Sequence, residues 1–237
     1  MRPFLLRDAR PALRYEHSNR VLGRSKLRGL LVLLPLVAGC RREPSRATAE
    51  PPSSNRSESA IALGPTPWAP SEGSELVGKA APEFGDLDWI QGGPLELRAL
   101  RGKLVLIRFW LIECAYCRAT APALNELYSR FAKRGLIVVA VHHPKSEAAR
   151  DLERVRRTAR EYGFEFPVAH DDSWATARAF GVGTAFKRFT SVSVLVDREG
   201  RIAWVHDGGE FHRGGGDSHR DCNRAFEALV AEIEKRL

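Results

Sequence analysis

Two cysteines with two residues between them, Cys114 and Cys117, stand at the junction of an apolar run and a helical pattern. This arrangement limits the fold more than any other feature of the chain. Leu104 to Trp110 is apolar except at Arg108 and reads as a buried strand, and Leu111 to Glu113 read as a short turn. The cysteines then open a helix that continues to about Lys133, with Ala121, Leu124, Tyr128 and Phe131 on one face and Gly135 as its stop. At this spacing on a helix start the two sulfurs can meet, and the free N–H groups of the first turn point at the leading one. A thiol so placed is acidified and becomes nucleophilic. Zinc sites also use C-x-x-C, but there is no second cysteine pair, and Arg118 after Cys117 excludes a haem-attachment motif.

The flanking segments carry the same message. Leu136–Val141 reads as a second strand and Glu147–Tyr162 as a helix with an arginine-rich outer face. Phe166–Ala169 is a short strand and Ser173–Phe180 a short helix, while residues 86–97 suggest a small hairpin or loop. Ser191–Val196 and Arg201–Val205 pair around the Arg198-Glu199-Gly200 turn, and the last helix, from Arg220, buries Phe226, Leu229, Val230 and Ile233. Alternating strands and helices followed by a hairpin and a helix predict an α/β sandwich with a mixed central sheet flanked by helices.

The pieces FW-x3-C-x2-CRA with Pro122, VGKAAPEF upstream, GFEFPVAHD in the middle and LVDREGRI near the end resemble the TlpA/ResA-like redoxins. These are thioredoxin-fold, extracytoplasmic thiol–disulfide oxidoreductases. The resemblance runs from about Leu76 to the C-terminus. It implies a thioredoxin-like domain with no cofactor, disulfide-bearing exported proteins as partners, and a membrane thiol–disulfide protein as electron donor. Peroxidatic sites in peroxiredoxins carry a Thr three residues before the nucleophile; here that residue is Leu111.

The N-terminal third agrees with export. Gly29–Ala38 is a ten-residue apolar core behind Arg20, Arg24, Lys26 and Arg28, and it ends in Val37-Ala38-Gly39-Cys40. Residues 1–39 therefore read as a lipoprotein signal peptide, with Cys40 taking a lipid that holds the chain to the membrane, facing the periplasm or extracytoplasmic space. The core is too short to cross a bilayer of roughly 30 Å. Residues 1–39 hold eight Lys and Arg against two Asp and Glu, six of the chain's net +8. The basic balance thus belongs to targeting, and nucleic acid is not an expected partner. Residues 40–73, rich in Pro, Ser, Ala and Glu, read as a disordered tether, and 74–237 as the folded domain.

Within the domain Cys114 is expected to attack and Cys117, one turn in and shielded, to resolve. Trp110, Glu113 and Tyr116 shape the site. Glu113, where the family usually has Trp, should oppose thiolate formation at Cys114. Arg108 stands where thioredoxins have a buried Asp; it either stabilises the thiolate or pairs with Glu113 or another acid. Thr120 replaces the Glu that relays protons in ResA-like proteins. Ser191 falls where the family keeps a cis-proline, predicting a trans peptide or remodelled loop at Thr190-Ser191, because a cis bond before a non-proline costs about 2.5–4 kcal/mol.

Without that proline the two sulfurs are open to a soft metal ion, so a non-catalytic module binding a metal or a protein partner stays open as the alternative. His142 and His143 end a strand, either as one proton acceptor or as exposed loop histidines. His206, His212, His219 and Cys222 form a loose tail cluster whose spacing fits no compact ligand set, and Cys222 is expected to be a packed, inert thiol.

Overall fold

The computed structural model describes residues 71–237. The expected signal peptide, Cys40 and nearly all of the expected tether lie outside the described residues.

Six strands form one sheet: β1 (Asp88–Gln91), β2 (Leu104–Trp110), β3 (Leu136–His142), β4 (Val168–His170), β5 (Ser193–Val196) and β6 (Ile202–His206). Their spatial order is β1-β4-β3-β2-β5-β6. β2, β3 and β4 run parallel, while β1, β5 and β6 attach antiparallel. The central strand β2 is buried at every residue, as its nearly unbroken apolar run requires for a strand covered on both faces. Along β2, Leu104, Leu106 and Trp110 face one layer, and Val105, Ile107 and Phe109 the other.

Four helices cover the sheet. α1 (Ala115–Phe131), α2 (Leu152–Glu161) and α4 (Arg220–Arg236) contribute to the first layer, through Leu124, Leu127 and Phe131, through Val155 and Ala159, and through Phe226, Leu229 and Ile233. α3 (Ala175–Ala179) and the segment before β2 cover the second, with Ala177 and Phe180 against Phe84, Val105 and Phe109. After α1 a single 3-10 turn ends at Gly135, whose φ of 110° is a left-handed conformation that lets the chain reverse into β3.

Three local expectations are corrected. Residues 86–97 form no hairpin: Asp88–Gln91 pairs with β4 and becomes the sheet edge. The expected helix over 147–162 is two pieces, a 3-10 turn (Glu147–Arg150) and α2. The break is at Asp151, which leaves helical geometry (ψ 106°) and caps α2 by accepting from the N–H groups of Glu153 and Arg154. The short strand β4 starts two residues later than expected, at Val168.

Candidate active site

β2 delivers the chain to the head of α1, and Cys114 is the N-cap of that helix. Its sulfur accepts from the Cys117 N–H at 3.2 Å. Cys114 is half-buried, Cys117 is 3% exposed, and the two are unbridged. The Cys117 thiol hydrogen-bonds the Cys114 sulfur. Together with the Cys117 N–H, the Ser191 hydroxyl and the Arg108 charge, it draws the Cys114 thiol from an ordinary 9.0 down to about 6, against partial burial. Cys117 moves the other way. Sharing its proton with Cys114 and being buried keep it protonated. One residue of the pair is therefore a thiolate at neutral pH and the other a thiol behind it.

Arg108 lies under this pair, fully buried. Its guanidinium donates to Ser193 Oγ (3.2 Å) and to the Gly209 carbonyl (2.9 Å), and it sits over the Phe211 ring at 5.6 Å from the centroid. Its Nε has no partner. Burial lowers its pKa, while the sulfurs of Cys117 and Cys114 favour its charge. Of the two expectations for Arg108, pairing with Glu113 is excluded. Glu113 turns outward and engages Arg154 at 3.1 Å, and Ser146 donates to it at 3.2 Å. That also bears on the expected opposition of Glu113 to the thiolate, because the carboxylate is held by a cation of its own. Arg154 and Ser146, on the segment after β3, were not singled out in the sequence, since nothing in its spacing brings them to residue 113.

Thr190 and Ser191 line a cleft of about 300 Å³ together with Leu111, Cys114, Tyr116 and Phe189. Ser191 is 3% exposed. The Thr190–Ser191 peptide is trans; the cis bond among the described residues is Gly93–Pro94. Val192, next in the chain, accepts from the Phe109 N–H at 2.9 Å, which anchors this loop to β2. Tyr116 is 46% exposed and meets Phe189 edge-on at 5.7 Å, forming an aromatic lip. Trp110 is buried beneath, edge-on to His142 and Phe164. Thr120 donates to the Tyr116 carbonyl at 2.8 Å and accepts from the Phe211 N–H at 3.4 Å, a structural position with no titratable group.

The histidines do not stand as expected. His142 and His143 are fully buried, not exposed loop residues. His142 Nδ1 lies 2.9 Å from His170 Nδ1 with the rings stacked, and His143 packs edge-on against Trp174 at 4.4 Å. Burial pushes them down to about 2 and about 3, so both are neutral. The strand-end pattern suggested exposure, but Trp174, held at φ 64° ahead of α3, covers His143, and Trp110 and His170 enclose His142.

The tail cluster is also corrected. His206 is not part of it; it is half-buried, lies edge-on to Phe211 and is pushed down to about 3 by the desolvation of its ring. His212, His219 and Cys222 instead converge on Glu210, a residue the sequence reading did not include, with one ligand atom of each within 4.8 Å of the others. Cys222 is partly exposed and turned towards that carboxylate, not packed into the core. Burial, and then the Glu210 charge, push its thiol up.

Residues 77–205 match the sequence model of the AhpC/TSA family, over half of the chain. The chain belongs to the AhpC/TSA family. Among curated relatives of this family member is the thiol-disulfide oxidoreductase ResA of Bacillus thuringiensis (strain Al Hakam), 32% identical over 126 residues, which are 53% of this chain and 66% of that protein. Protein DipZ of Mycobacterium bovis (strain ATCC BAA-935 / AF2122/97) is 28% identical over 137 residues, 56% of this chain but 19% of DipZ. The chain thus spans just under two thirds of the length of ResA. Among solved structures, a candidate thiol:disulfide interchange protein DsbE from Chlorobium tepidum superposes with a TM-score of 0.52 at 25% identity, covering 66% of this chain and 97% of that one. The thioredoxin-like α/β fold expected from the sequence is the fold found.

Proposed function

We propose that this protein is a thiol–disulfide oxidoreductase that reduces disulfides of exported proteins through Cys114 and Cys117. The observation that carries the reading is the asymmetry of the pair: a half-buried sulfur lowered to about 6 at the head of α1, with a shielded thiol one turn behind it.

The Cys114 thiolate attacks one sulfur of a substrate disulfide. The substrate S–S bond breaks, a Cys114–substrate S–S bond forms, and the leaving thiolate takes a proton. Cys117 then gives up its proton and attacks the Cys114 sulfur, releasing the second substrate thiol. Two electrons and two protons have passed to the substrate, and Cys114–Cys117 is left as a disulfide. A membrane thiol–disulfide donor protein re-reduces it by the same exchange in reverse. The cleft beside Cys114, with its Tyr116–Phe189 lip, receives the substrate segment at the trans Thr190–Ser191 turn.

The reading places the domain outside the cytoplasm, tethered by residues 40–73 to a lipid on Cys40. Among the described residues no helix is long and apolar enough to cross a membrane. Reduction of insulin by the full chain, followed by turbidity, tests the chemistry. Cys114→Ser should lower the rate at least 100-fold, and equal rates in both proteins would remove the mechanism. A redox titration of the pair against donor thiols gives the direction in which it runs.

A further inference from the structure

The residues after β6 form a loop that the proposed exchange reaction does not use. It leaves the core at Phe211, runs through three successive glycines and returns at α4. Four potential ligands meet there, from positions 210, 212, 219 and 222. His219 Nδ1 is 3.1 Å from His212 Nε2 and 3.4 Å from Glu210 Oε1. Glu210 Oε1 is also 3.7 Å from His212 Nε2 and 3.7 Å from Cys222 Sγ.

The His219–His212 and Cys222–Glu210 contacts are within hydrogen-bond reach, so the distances from the imidazoles to the carboxylate are the ones that bear on a second use of the cluster. Hydrogen bonds to a carboxylate run at about 2.7–3.2 Å, and neither imidazole comes that close to Glu210. A tetrahedral ion with Zn–N and Zn–O bonds of about 2.0–2.2 Å and a Zn–S bond of about 2.3 Å holds its ligands roughly 3.3–3.6 Å apart. Four of the six edges, 3.1–3.7 Å, scatter around that range, and the other two, from Cys222 to each imidazole, lie within 4.8 Å, so the sulfur has to draw in on binding. We propose that Glu210, His212, His219 and Cys222 bind one divalent borderline transition-metal ion, of which Zn²⁺ is the reference, in a closed four-ligand site that ties the tail loop to the start of α4.

Three features beyond the ligands support it. The second ring nitrogen of His212, Nδ1, faces the Arg213 carbonyl at 3.3 Å, the outer partner that fixes a ligating imidazole with Nε2 towards the metal. Gly214, Gly215 and Gly216 all have positive φ (86°, 85° and 67°), and a Cβ on Gly215 would lie 2.5 Å from the His219 ring. The loop is therefore shaped so that backbone yields space to that imidazole. Asn223 holds the same loop in place: it accepts from the Gly214 N–H (2.8 Å) and donates to the carbonyls of Gly214 (2.9 Å) and His219 (2.7 Å). A thiolate and a carboxylate balance the ion's charge. One sulfur with two imidazoles selects zinc, cobalt, nickel or copper over magnesium or calcium.

The test uses the full chain carrying Cys114→Ser and Cys117→Ser, so that the other cysteine pair cannot bind metal. The chelator-treated protein is titrated with Co²⁺ as an optical stand-in for Zn²⁺. One equivalent should bind, with a thiolate-to-cobalt charge-transfer band and d–d bands of tetrahedral intensity, and Zn²⁺ should bleach both. Cys222→Ser should abolish the charge-transfer band. His212→Gln and His219→Gln should each weaken binding by more than the roughly 10–100-fold that loss of an outer-shell partner costs. Absence of the charge-transfer band, or unchanged affinity in His219→Gln, would overturn the proposal. Since a ligand variant can lose its fold, a second reading uses none. Stoichiometric Zn²⁺ should protect Cys222 from alkylation in the parent, and equal labelling with and without metal overturns the site. None of these outcomes depends on the exchange activity assigned to Cys114.

Discussion

Cys114 and Cys222 each stand at the start of a 17-residue helix, α1 and α4, yet their thiols shift in opposite directions. Cys114 is the N-cap, and its sulfur receives the Cys117 N–H, the Cys117 thiol and the Ser191 hydroxyl above a buried arginine. Cys222 is the third residue of its helix and faces a carboxylate at 3.7 Å. A helix dipole stabilises a charge at its end by about 0.3–1 kcal/mol, which is less than one pKa unit. The contrast shows that position at a helix start is too weak to set either value. Burial raises both thiols and is the largest cause at Cys222; the donors aimed at the Cys114 sulfur overcome it there, whereas the carboxylate beside Cys222 adds to it.

The most damaging way to probe that conclusion is to remove the strongest donor while leaving the helix intact. Cys117→Ala keeps the residue 117 N–H but deletes the thiol that contributes most to lowering Cys114. In the parent, a lowered acid is ionised above its pKa, so alkylation of Cys114 by iodoacetamide should fall as pH drops through about 6. In Cys117→Ala that midpoint should climb towards the ordinary thiol value of 9.0, and exchange should stop at the mixed disulfide. A midpoint that stays near 6 would mean that the helix terminus suffices, and the contrast with Cys222 would need another cause.

Ser191→Ala sharpens the comparison by removing one donor of three. A hydrogen bond to a charged group contributes about 1.5–3 kcal/mol when shielded, and less at a half-exposed sulfur. The Cys114 midpoint should rise by about half to one pH unit, with a loss of insulin reduction of about 1.5- to 3-fold at pH 6.5 and little loss at pH 8.5. Equal losses at both pH values would assign Ser191 to substrate docking instead of thiolate stabilisation.

How much of this was visible in the sequence depends on whether a feature is local. β2 was legible to the residue, because seven consecutive positions with a single charge can be little else than a central strand. The last helix was legible from the spacing of Phe226, Leu229, Val230 and Ile233. The family resemblance placed Ser191 at the cis-proline position, and the structure sets its hydroxyl on the Cys114 sulfur. What could not be read depended on long-range closure. Trp174 seals His143 from 31 positions away, and Arg154 meets Glu113 across 41. The convergence of Glu210, His212, His219 and Cys222 depends on left-handed glycines whose dihedral angles no spacing rule supplies. Asp151 broke a helix that periodicity alone would continue, since its side chain satisfies two N–H groups of the second piece.

The smallest effect on acidity, and the one most specific to this chain, belongs to Arg108. Its charge ranks below the thiol and hydroxyl donors in lowering Cys114, yet it is fully buried, its two terminal nitrogens find only a serine hydroxyl, a carbonyl and the sulfurs, and Nε finds no partner. A buried cation with so little compensation costs stability unless a negative charge forms beside it, and the cysteine thiolate is such a charge. Arg108 should therefore favour the reduced protein, in which the thiolate exists, over the disulfide, in which it does not. Arg108→Met would raise the Cys114 midpoint by only a few tenths of a pH unit. It should also stabilise the oxidised protein more than the reduced one. Because stabilising the reduced form makes a couple more oxidising, removing Arg108 should make the Cys114–Cys117 potential more negative by about 10–30 mV, where 29.6 mV corresponds to tenfold in the exchange constant. Equilibration with glutathione or dithiothreitol measures it, alongside urea unfolding of both redox forms. If the potential is unchanged while both forms lose stability equally, Arg108 is a strut for the Gly209 carbonyl, and the acidity of Cys114 owes nothing to its charge.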